Sequence, residues 1–402
     1  MVSNNEITHS HKLSVCFPFV GDSIGGSFIS TSIIIKKLIQ EDKFKVVVVL
    51  HRPGIVAEWL IKEGIPYQYC EQIKYVNLNR KFIFQLYETF VAQRSARSFL
   101  LSAAIDIVHT NDGRMHLTWV LGCVGTRCQH IWHQRTKLSR SKWVLLLVFV
   151  AAKTIVISEY VKVGLPKRVA KNSLMLSNPI ELRQVSPNKI EMKQRILGWS
   201  LIKAESTWVV GFVGTFNRQK RVVDFIETVD MIEKISSINC RYLIIGKDGD
   251  YSSKDLQDIL EDRNLNNVCD VMPFQENILD WYEAMDILIS PSEDEAFGRN
   301  IVEAIERGAF VVVSRSGGHP EIIEHDKTGL LVDLGNVKGY VEAVSYIVDN
   351  KDWQDRIKRT ARELVLGKYQ VGSIYKKLVN EYWSVFRRYH RKSAIEITRR
   401  SG

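Results

Sequence analysis

Short apolar runs rich in valine and isoleucine alternate along the chain with longer stretches that have a helical spacing of apolar positions. Eight of these runs, each four to six residues long, are predicted to be strands: 13–17, 45–50, 105–109, 154–157, 208–213, 242–245, 287–290 and 310–313. Nearly continuous apolar strands separated by helices indicate parallel sheets that are covered on both faces. The pattern predicts an α/β fold in each half of the chain.

The length of 402 residues predicts two domains, each with its own core. A polar stretch from Ser177 to Asn188 contains two X-Pro pairs that interrupt helices, so we place the domain boundary there. The predicted domains are residues 1–180 and 181–370. Residues 371–402 follow as a C-terminal helix with a basic tail, because Ile374, Leu378, Tyr382 and Phe386 form one apolar stripe.

Composition excludes several classes of protein. Hydrophobic residues at 45% and charged residues at 25% are typical of a globular chain rather than a disordered one. The six cysteines include no Cys-x-x-Cys pair, so they indicate neither a disulfide framework nor a zinc ribbon. The longest apolar run, Trp143 to Ala152, is too short to span a membrane, and the polar N-terminus lacks a secretion signal. We therefore expect a cytoplasmic protein.

The net charge of +10 is concentrated in the first half, where residues 1–185 hold 24 Lys and Arg against 12 Asp and Glu. No acidic residue occurs between Asp112 and Glu159, which indicates an anionic partner. One interpretation is that the segment from Gly113 to Ser158 docks on an anionic membrane surface; the alternative is a buried helix flanked by solvated charges. The basic C-terminus raises the alternative of nucleic-acid binding, but no nucleic-acid motif accompanies it and we expect no such partner.

Two loops between a strand and a helix are candidates for phosphate binding. The loop from Gly21 to Gly26 ends in Gly25 and Gly26, and glycines at a helix N-terminus let the backbone approach a phosphate. A plain tight turn explains these glycines equally well. In the second half, Arg218 and Lys220 lie in the loop after the strand 208–213, at the sheet edge where open α/β folds bind ligands.

Carboxylates and histidines also fall at predicted strand ends. Glu295 precedes a predicted helix and Glu303 lies inside it, so that one could contact the sugar end of a ligand and the other its nucleoside end. A capping acid and an unrelated surface acid remain the alternative. His109 and His133 are predicted at the carboxyl ends of two strands, where two histidines favour function over a purely structural role.

The segment from Glu295 to Glu303 matches the Glu-x7-Glu motif of glycosyltransferase family 4. It is followed by Arg307-Gly308-Ala309, by the stretch from Ser316 to Glu321 and by the stretch from Thr328 to Val332. On these motifs the chain resembles that family of retaining nucleotide-sugar transferases. The resemblance implies the GT-B fold, with two Rossmann-like domains, and transfer of a sugar to a saccharide or lipid-linked acceptor in surface polysaccharide or glycolipid synthesis. It also implies that no metal or other cofactor is required.

The resemblance assigns roles to individual residues. It places Glu303 on the ribose, and Glu295 beside the donor sugar as a catalytic residue. His133 matches a histidine of the acceptor-side loop and is the second catalytic candidate. Donor contacts are implied for Gly25, Gly26, Lys220, Phe297, Gly298 and Arg299.

The chain departs from the family at Thr215, where arginine is usual, and at Ala296, where glycine is usual. We predict that Arg218 replaces the missing arginine beside the diphosphate. Two other functions stay open: a non-catalytic nucleotide- or sugar-binding scaffold, and a nucleotide-sugar epimerase of the same fold.

Overall fold

A computed structural model describes residues 12–138, 141–182 and 188–400. The chain forms two units, each built around one parallel sheet. Unit 1 contains residues 1–179 and 371–402, and unit 2 contains residues 180–370. The chain thus passes from unit 1 to unit 2 between Pro179 and Ile180 and returns at Val371.

Unit 1 has a seven-stranded parallel sheet in the order β3-β2-β1-β4-β5-β6-β7. Its strands are β1 (Leu13–Phe19), β2 (Phe44–Leu50), β3 (Tyr67–Tyr69), β4 (Ile107–Thr110), β5 (Gln129–Gln134), β6 (Lys153–Val156) and β7 (Leu174–Met175). Residues of β1 are buried along its whole length, as expected for a strand covered by helices on both faces.

Seven helices of unit 1 connect these strands: α1 (Gly26–Ile39), α2 (Ile55–Lys62), α3 (Phe82–Ser102), α4 (Gly113–Cys123), α5 (Lys142–Leu147), α6 (Glu159–Val163) and α7 (Lys167–Asn172). A short 3₁₀ helix, Val148–Val150, extends α5. The last helix of the chain, Val371–Arg400, also belongs to unit 1. Its apolar stripe packs into the same core as β1, with Leu378 and Tyr382 fully buried.

Unit 2 has a six-stranded parallel sheet in the order β10-β9-β8-β11-β12-β13. Its strands are β8 (Trp208–Val213), β9 (Cys240–Ile245), β10 (Cys269–Met272), β11 (Ile287–Ser290), β12 (Phe310–Ser314) and β13 (Leu330–Val332). Its helices are α8 (Lys189–Leu197), α9 (Leu201–Ser206), α10 (Val222–Ile235), α11 (Ser253–Asp262), α12 (Ile278–Ala284), α13 (Arg299–Glu306), α14 (Val337–Asp349) and α15 (Lys351–Tyr369); the final helix of the chain is α16.

The eight predicted strands all occur, with ends shifted by a few residues. Of the other five strands, β5 is expected only from the placement of His133 at a strand end. The remaining four, β3, β7, β10 and β13, have only two to four residues each. All four lie at the outer edges of the two sheets. A strand of this length at an edge has too few buried positions to produce a recognisable pattern.

Candidate functional site

The loop after β8 carries the lysine that the sequence singles out. Asn217 accepts a hydrogen bond from the Lys220 main-chain N–H at 2.8 Å and so caps the 3₁₀ turn Arg218–Lys220. The Lys220 side chain is ion-paired with Glu295, which lies 75 positions further along the chain. Unit 2 therefore brings together two residues predicted to contact the donor.

The charge on Glu295 is maintained in a mostly buried position. Burial opposes its ionisation, but the Lys220 ammonium outweighs burial and lowers the pKa of the Glu295 carboxyl. The Phe297 main-chain N–H also donates to this carboxylate. Glu295 is thus an anion held beside the Lys220 cation. A diphosphate bound at the loop after β8 would contact the same cation.

The main chain around Glu295 is shaped by two glycines that follow β12. Gly317 has a φ of +59°, and a side chain there would place its Cβ 2.3 Å from the Glu295 carbonyl oxygen. The Gly318 N–H donates to that same carbonyl at 2.6 Å. The Ser316-Gly317-Gly318 stretch packs directly against the Glu295 backbone, and this close approach requires the glycines.

Helix α13 begins next to this loop. Gly298 precedes the helix with a φ of +93°, a conformation that favours glycine. Arg299 pairs with Glu303 one turn later at 2.7 Å, and the Asn300 amide donates to the Val213 carbonyl at 3.1 Å. Phe297 is buried, with its ring edge-on to Tyr369. The predicted residues from Glu295 to Glu303 consequently lie together with Lys220, although the Glu303 carboxylate is paired with Arg299.

Arg218 differs from Lys220 in its surroundings. Its main-chain N–H donates to Asp250 at 2.8 Å, and its side chain is exposed. Within the described part of the chain no hydrogen bond or ion pair holds its guanidinium. The Arg218 guanidinium is thus not held in place as the Lys220 ammonium is. That Arg218 reaches a bound diphosphate stays a prediction.

His319 is a site residue that sequence reasoning missed, although it stands in the quoted Ser316–Glu321 motif. Its Nδ1 lies 3.1 Å from the Ser314 carbonyl oxygen, which can only accept, so Nδ1 carries the proton. Burial lowers the pKa of His319 to about 4, although the nearby Glu295 carboxylate acts in the opposite direction. The ring is neutral, and its Cδ2 edge faces the position where a Gly298 Cβ would lie, at 3.3 Å.

The predicted glycine loop belongs to unit 1. Gly25 caps the N-terminus of α1 with an extended backbone, and a Cβ placed on Gly25 would meet no atom within 4 Å. The loop is held by Asp22, which receives two hydrogen bonds from the Arg114 guanidinium at 2.6 and 3.1 Å. Burial disfavours the Asp22 anion, yet Arg114 lowers its pKa. No local pattern predicted this ion pair, because its partners are 92 positions apart.

His133 also belongs to unit 1, where it lies within β5 rather than after it. His109 likewise lies within β4, and both side chains are buried, with 0% of His109 and 1% of His133 exposed. The two rings are hydrogen-bonded to each other at 2.9 Å. Each is the penultimate residue of its strand, close to the predicted carboxyl end, but both side chains are buried in unit 1.

Comparison with known proteins finds a family model that matches most of unit 2. Residues 194–364 match the model of the family described as glycosyl transferases group 1. The resemblance predicted from the Glu-x7-Glu motif is confirmed for this segment.

Two curated relatives illustrate the range of acceptors. N-acetyl-alpha-D-glucosaminyl L-malate synthase of Bacillus anthracis is 22% identical over 46% of this chain and 47% of its own. The UDP-Gal:alpha-D-GlcNAc-diphosphoundecaprenol alpha-1,3-galactosyltransferase of Escherichia coli is 24% identical over 48% of this chain and 49% of its own. The matches span about half the length of these relatives.

A solved structure extends the likeness to both units. The crystal structure of Anabaena Alr3699/HepE in complex with UDP and glucose superposes with a TM-score of 0.75 and 20% identity, over 92% of this chain and 100% of that one. At this identity the likeness establishes the fold. The predicted fold class, GT-B with two Rossmann-like domains, is confirmed.

Proposed function

We propose that the chain is a retaining glycosyltransferase that moves a sugar from a nucleotide-sugar donor to an acceptor hydroxyl. The observation that carries the proposal is the ion pair between Lys220 and Glu295 at the start of the Glu-x7-Glu segment. It lies within the part of the chain that matches the group 1 glycosyl transferases, and the Escherichia coli relative is named a galactosyltransferase.

The chemistry follows from the charges of this loop. As the bond from sugar to diphosphate breaks, negative charge develops on the leaving group, and a fixed cation stabilises that charge. Lys220 supplies the cation and the N-terminus of α13 supplies main-chain amides, which also favour an anion. Glu303 carries a carboxylate able to accept hydrogen bonds from two ribose hydroxyls once a ligand displaces Arg299. Lys220 and the α13 amides would bind the diphosphate through the chain's own charges.

The donor is proposed to be a uridine diphosphate sugar, since the similar Anabaena structure is a complex with UDP and glucose. The test is incubation of the protein with UDP-glucose and a panel of other nucleotide sugars, with release of the nucleoside diphosphate as the readout. A transferase slowly hydrolyses its donor when no acceptor is present. A binding scaffold would bind the nucleotide sugar without cleaving it, and an epimerase would change the sugar without net release of the nucleoside diphosphate. Either result would contradict the proposal.

Retention is tested separately. Proton NMR of the product formed with a suitable acceptor reports whether the anomeric configuration of the donor is kept. An inverted product would overturn this part of the proposal while leaving sugar transfer intact.

We further propose that unit 1 works at an anionic membrane surface, where a lipid-linked acceptor would be reached. Helix α3 exposes an apolar face formed by Ile83, Tyr87 and Phe90, with Ile83 and Tyr87 each 67% exposed. The Phe90 ring lies 5.8 Å from that of Trp143, and Leu146 and Phe149 add exposed apolar area beside α5. Contiguous exposed apolar area of this kind is typical of protein or membrane contact sites.

The charge of this region favours a membrane over a protein as the partner. Residues 72–158 hold twelve Lys and Arg against three acidic residues. Among those three, Glu88 is paired with Arg80, Asp106 is buried and Asp112 caps α4. Some of these cations are paired with acids elsewhere in unit 1, as Arg114 is with Asp22 and Lys153 with Glu381. The remaining excess of cations in the segment that carries the exposed apolar side chains favours anionic lipid headgroups. Ser139 and Arg140, within the predicted docking segment, lie outside the described residues.

Across the described residues no helix is long and apolar enough to cross a membrane. Peripheral binding is therefore tested by co-sedimentation with vesicles. Vesicles of anionic phospholipid should retain the protein and neutral vesicles should not, and Ile83→Asp with Tyr87→Asp should abolish retention. Ile202→Asp in unit 2, at an isoleucine that is 78% exposed, is the control. Equal binding to both vesicle types, or to neither, would overturn the membrane proposal.

A further inference from the structure

Two loops at the carboxyl edge of the unit 2 sheet hold residues in a backbone conformation that normally favours glycine. Five described residues other than glycine have a positive φ, and two of them are Arg221 at +53° and Asp294 at +55°. Arg221 directly follows Lys220, and Asp294 directly precedes Glu295. A left-handed conformation is costly for an arginine, so contacts elsewhere in the fold must hold it in place. Both left-handed residues therefore adjoin the ion pair between Lys220 and Glu295.

Hydrogen bonds join the two loops to each other. The Gln219 carbonyl accepts a hydrogen bond from the Glu293 N–H at 2.7 Å, and the Gln219 side-chain amide donates to the Asp294 carbonyl at 3.2 Å. On its other side the loop after β11 is tied to the segment after β12, because the Asp294 N–H donates to the Ser316 hydroxyl at 3.1 Å. The loop that carries Glu295 is thus held from two sides.

The Arg221 guanidinium fixes the end of the loop that carries Lys220. Its Nε and Nη2 atoms lie 2.8 and 2.7 Å from Asp224 Oδ2, in the first turn of α10. The Arg221 side chain is 28% exposed and that of Asp224 13%, so the pair is largely shielded from solvent. Hydrogen bonds between two charged groups are stronger than those between neutral ones. The residue after Lys220 is thereby bound to a helix that packs in the unit 2 core.

A second contact of the same guanidinium reaches the loop after β11. Arg221 Nη1 lies 3.8 Å from Glu293 Oε2, and the Glu293 side chain is 51% exposed. At this distance and exposure the ion pair by itself contributes little to stability. Asp224 is therefore the main anchor of Arg221, and Glu293 supports it from the neighbouring loop.

We propose that Arg221 is a positioning residue for Lys220. Its contact with Asp224 holds the turn after β8 in the conformation that places the Lys220 ammonium beside Glu295 before a donor binds. A cation that is already in place needs no reorganisation when charge develops on the leaving group, so loss of the anchor should lower the rate more than nucleotide binding. The effect on the rate rests on the proposed function, whereas the effect on the position of Lys220 does not.

The position of Lys220 is tested without turnover by acetylating the full chain with a trace of acetic anhydride and measuring each lysine by mass spectrometry. The Lys220 side chain is 21% exposed, so the reagent can reach it. An ammonium paired with a carboxylate gives up its proton less readily, and Lys220 should therefore react slowly in the wild type. Arg221→Gly removes the guanidinium and suits the left-handed backbone, so the fold should survive while Lys220 reacts several-fold faster.

Two references accompany this measurement. Lys254, whose side chain is 81% exposed, gives the reactivity of an accessible lysine in every sample. Asn264 has a φ of +56° in the turn after α11, so Asn264→Gly makes the same backbone change outside the two loops. This variant should leave the reactivity of Lys220 as in the wild type.

Unchanged reactivity of Lys220 in Arg221→Gly would overturn the proposal. Arg221→Met keeps the aliphatic stem and loses the charge, and it should give the same increase; if one of the two variants fails to fold, the other decides. Because the labelling needs no donor, its result stands even if no nucleotide sugar proves to be a substrate.

The effect on the rate is tested by kinetics with the donor that the wild type hydrolyses. A displaced cation keeps part of its effect, so we expect Arg221→Gly to lower kcat about tenfold, with little change in KM. In a Lys220→Ala background, Arg221→Gly should cause no further loss, because a residue that acts through Lys220 then has nothing to position. An equal loss in both backgrounds, or a change confined to KM, would overturn the positioning role.

Discussion

The two units share a parallel sheet but bury their polar groups in different ways. Among its described residues, unit 1 encloses five histidines whose pKa burial lowers: His51, His109, His116, His130 and His133. Unit 2 has one such histidine, His319, and instead sets charges in pairs, as in Lys220–Glu295, Arg299–Glu303 and the buried Arg307–Glu283. A neutral hydrogen-bonded interior and an ion-paired loop respond differently to protons, to salt and to a charged ligand.

Acid should unfold unit 1 at a higher pH than unit 2. A histidine whose folded pKa lies below the unfolded value of about 6.5 binds a proton more readily in the unfolded chain, so stability falls as the pH decreases below about 6.5. The loss continues down to the folded pKa, about 4 for His51 and about 3 for His130. Each such histidine removes up to about 1.4 kcal/mol per pH unit, and unit 1 contains five of the six.

Pulse-labelling hydrogen exchange at one fixed pH, after equilibration between pH 7 and 5, measures this unit by unit. Peptides from β1, β4 and β5 should lose protection at a higher pH than peptides from β8, β11 and β12. Simultaneous loss, or earlier loss in unit 2, would contradict the comparison.

The second largest effect should come from removing the cation of unit 2. Lys220→Ala should lower turnover by a factor of roughly 10² to 10³, the usual cost of losing one preorganised group that stabilises transition-state charge. Lys254→Ala, at a highly exposed lysine of α11 paired with Asp258, is the control and should behave as wild type. Donor hydrolysis at saturating nucleotide sugar measures both, and a change within twofold for Lys220→Ala would remove this lysine from the site.

Glu303 tests the nucleoside end of the same loop. Glu303→Ala should weaken nucleoside diphosphate binding by about 1.5 to 3 kcal/mol, the usual worth of hydrogen bonds to a charged group. The fold should survive, because Glu303 is paired with Arg299 on one helix face rather than packed in the core. Calorimetry with UDP, GDP and ADP gives the affinities, and Glu324→Ala is the control. Unchanged affinity for the nucleotide that binds the wild type would refute the ribose contact.

Arg218 should give the smallest effect of the four. A group preorganised like Lys220 would cost 10² to 10³ in turnover, but an exposed cation contributes only about 0.2–1 kcal/mol, which corresponds to less than roughly fivefold. The loss in Arg218→Ala should shrink further with added salt. A loss as large as that of Lys220→Ala would show that Arg218 does move onto the diphosphate, and Thr215→Arg should then partly restore activity.

The sequence predicts much of the fold because central strands carry their own pattern. β1 and β12 are buried at every position, so a nearly continuous run of apolar residues identifies each of them. The edge strands β3 and β7 have no such pattern, since they are short and none of their residues is fully buried. Edge strands form because a neighbouring strand offers free hydrogen-bonding groups, which is a property of the assembled sheet.

The candidate site divides in the same way. Glu295, Glu303 and the glycines at 317 and 318 lie within a short stretch of the chain. The sequence alone therefore shows that they form a motif. Which groups these residues meet was decided by the tertiary structure: Lys220 reaches Glu295 across 75 positions, and Tyr382 reaches His109 across 273. A strand or a helix depends on neighbours in the chain, whereas the hydrogen-bond partners of Glu295 and His109 are atoms that only folding brings within reach.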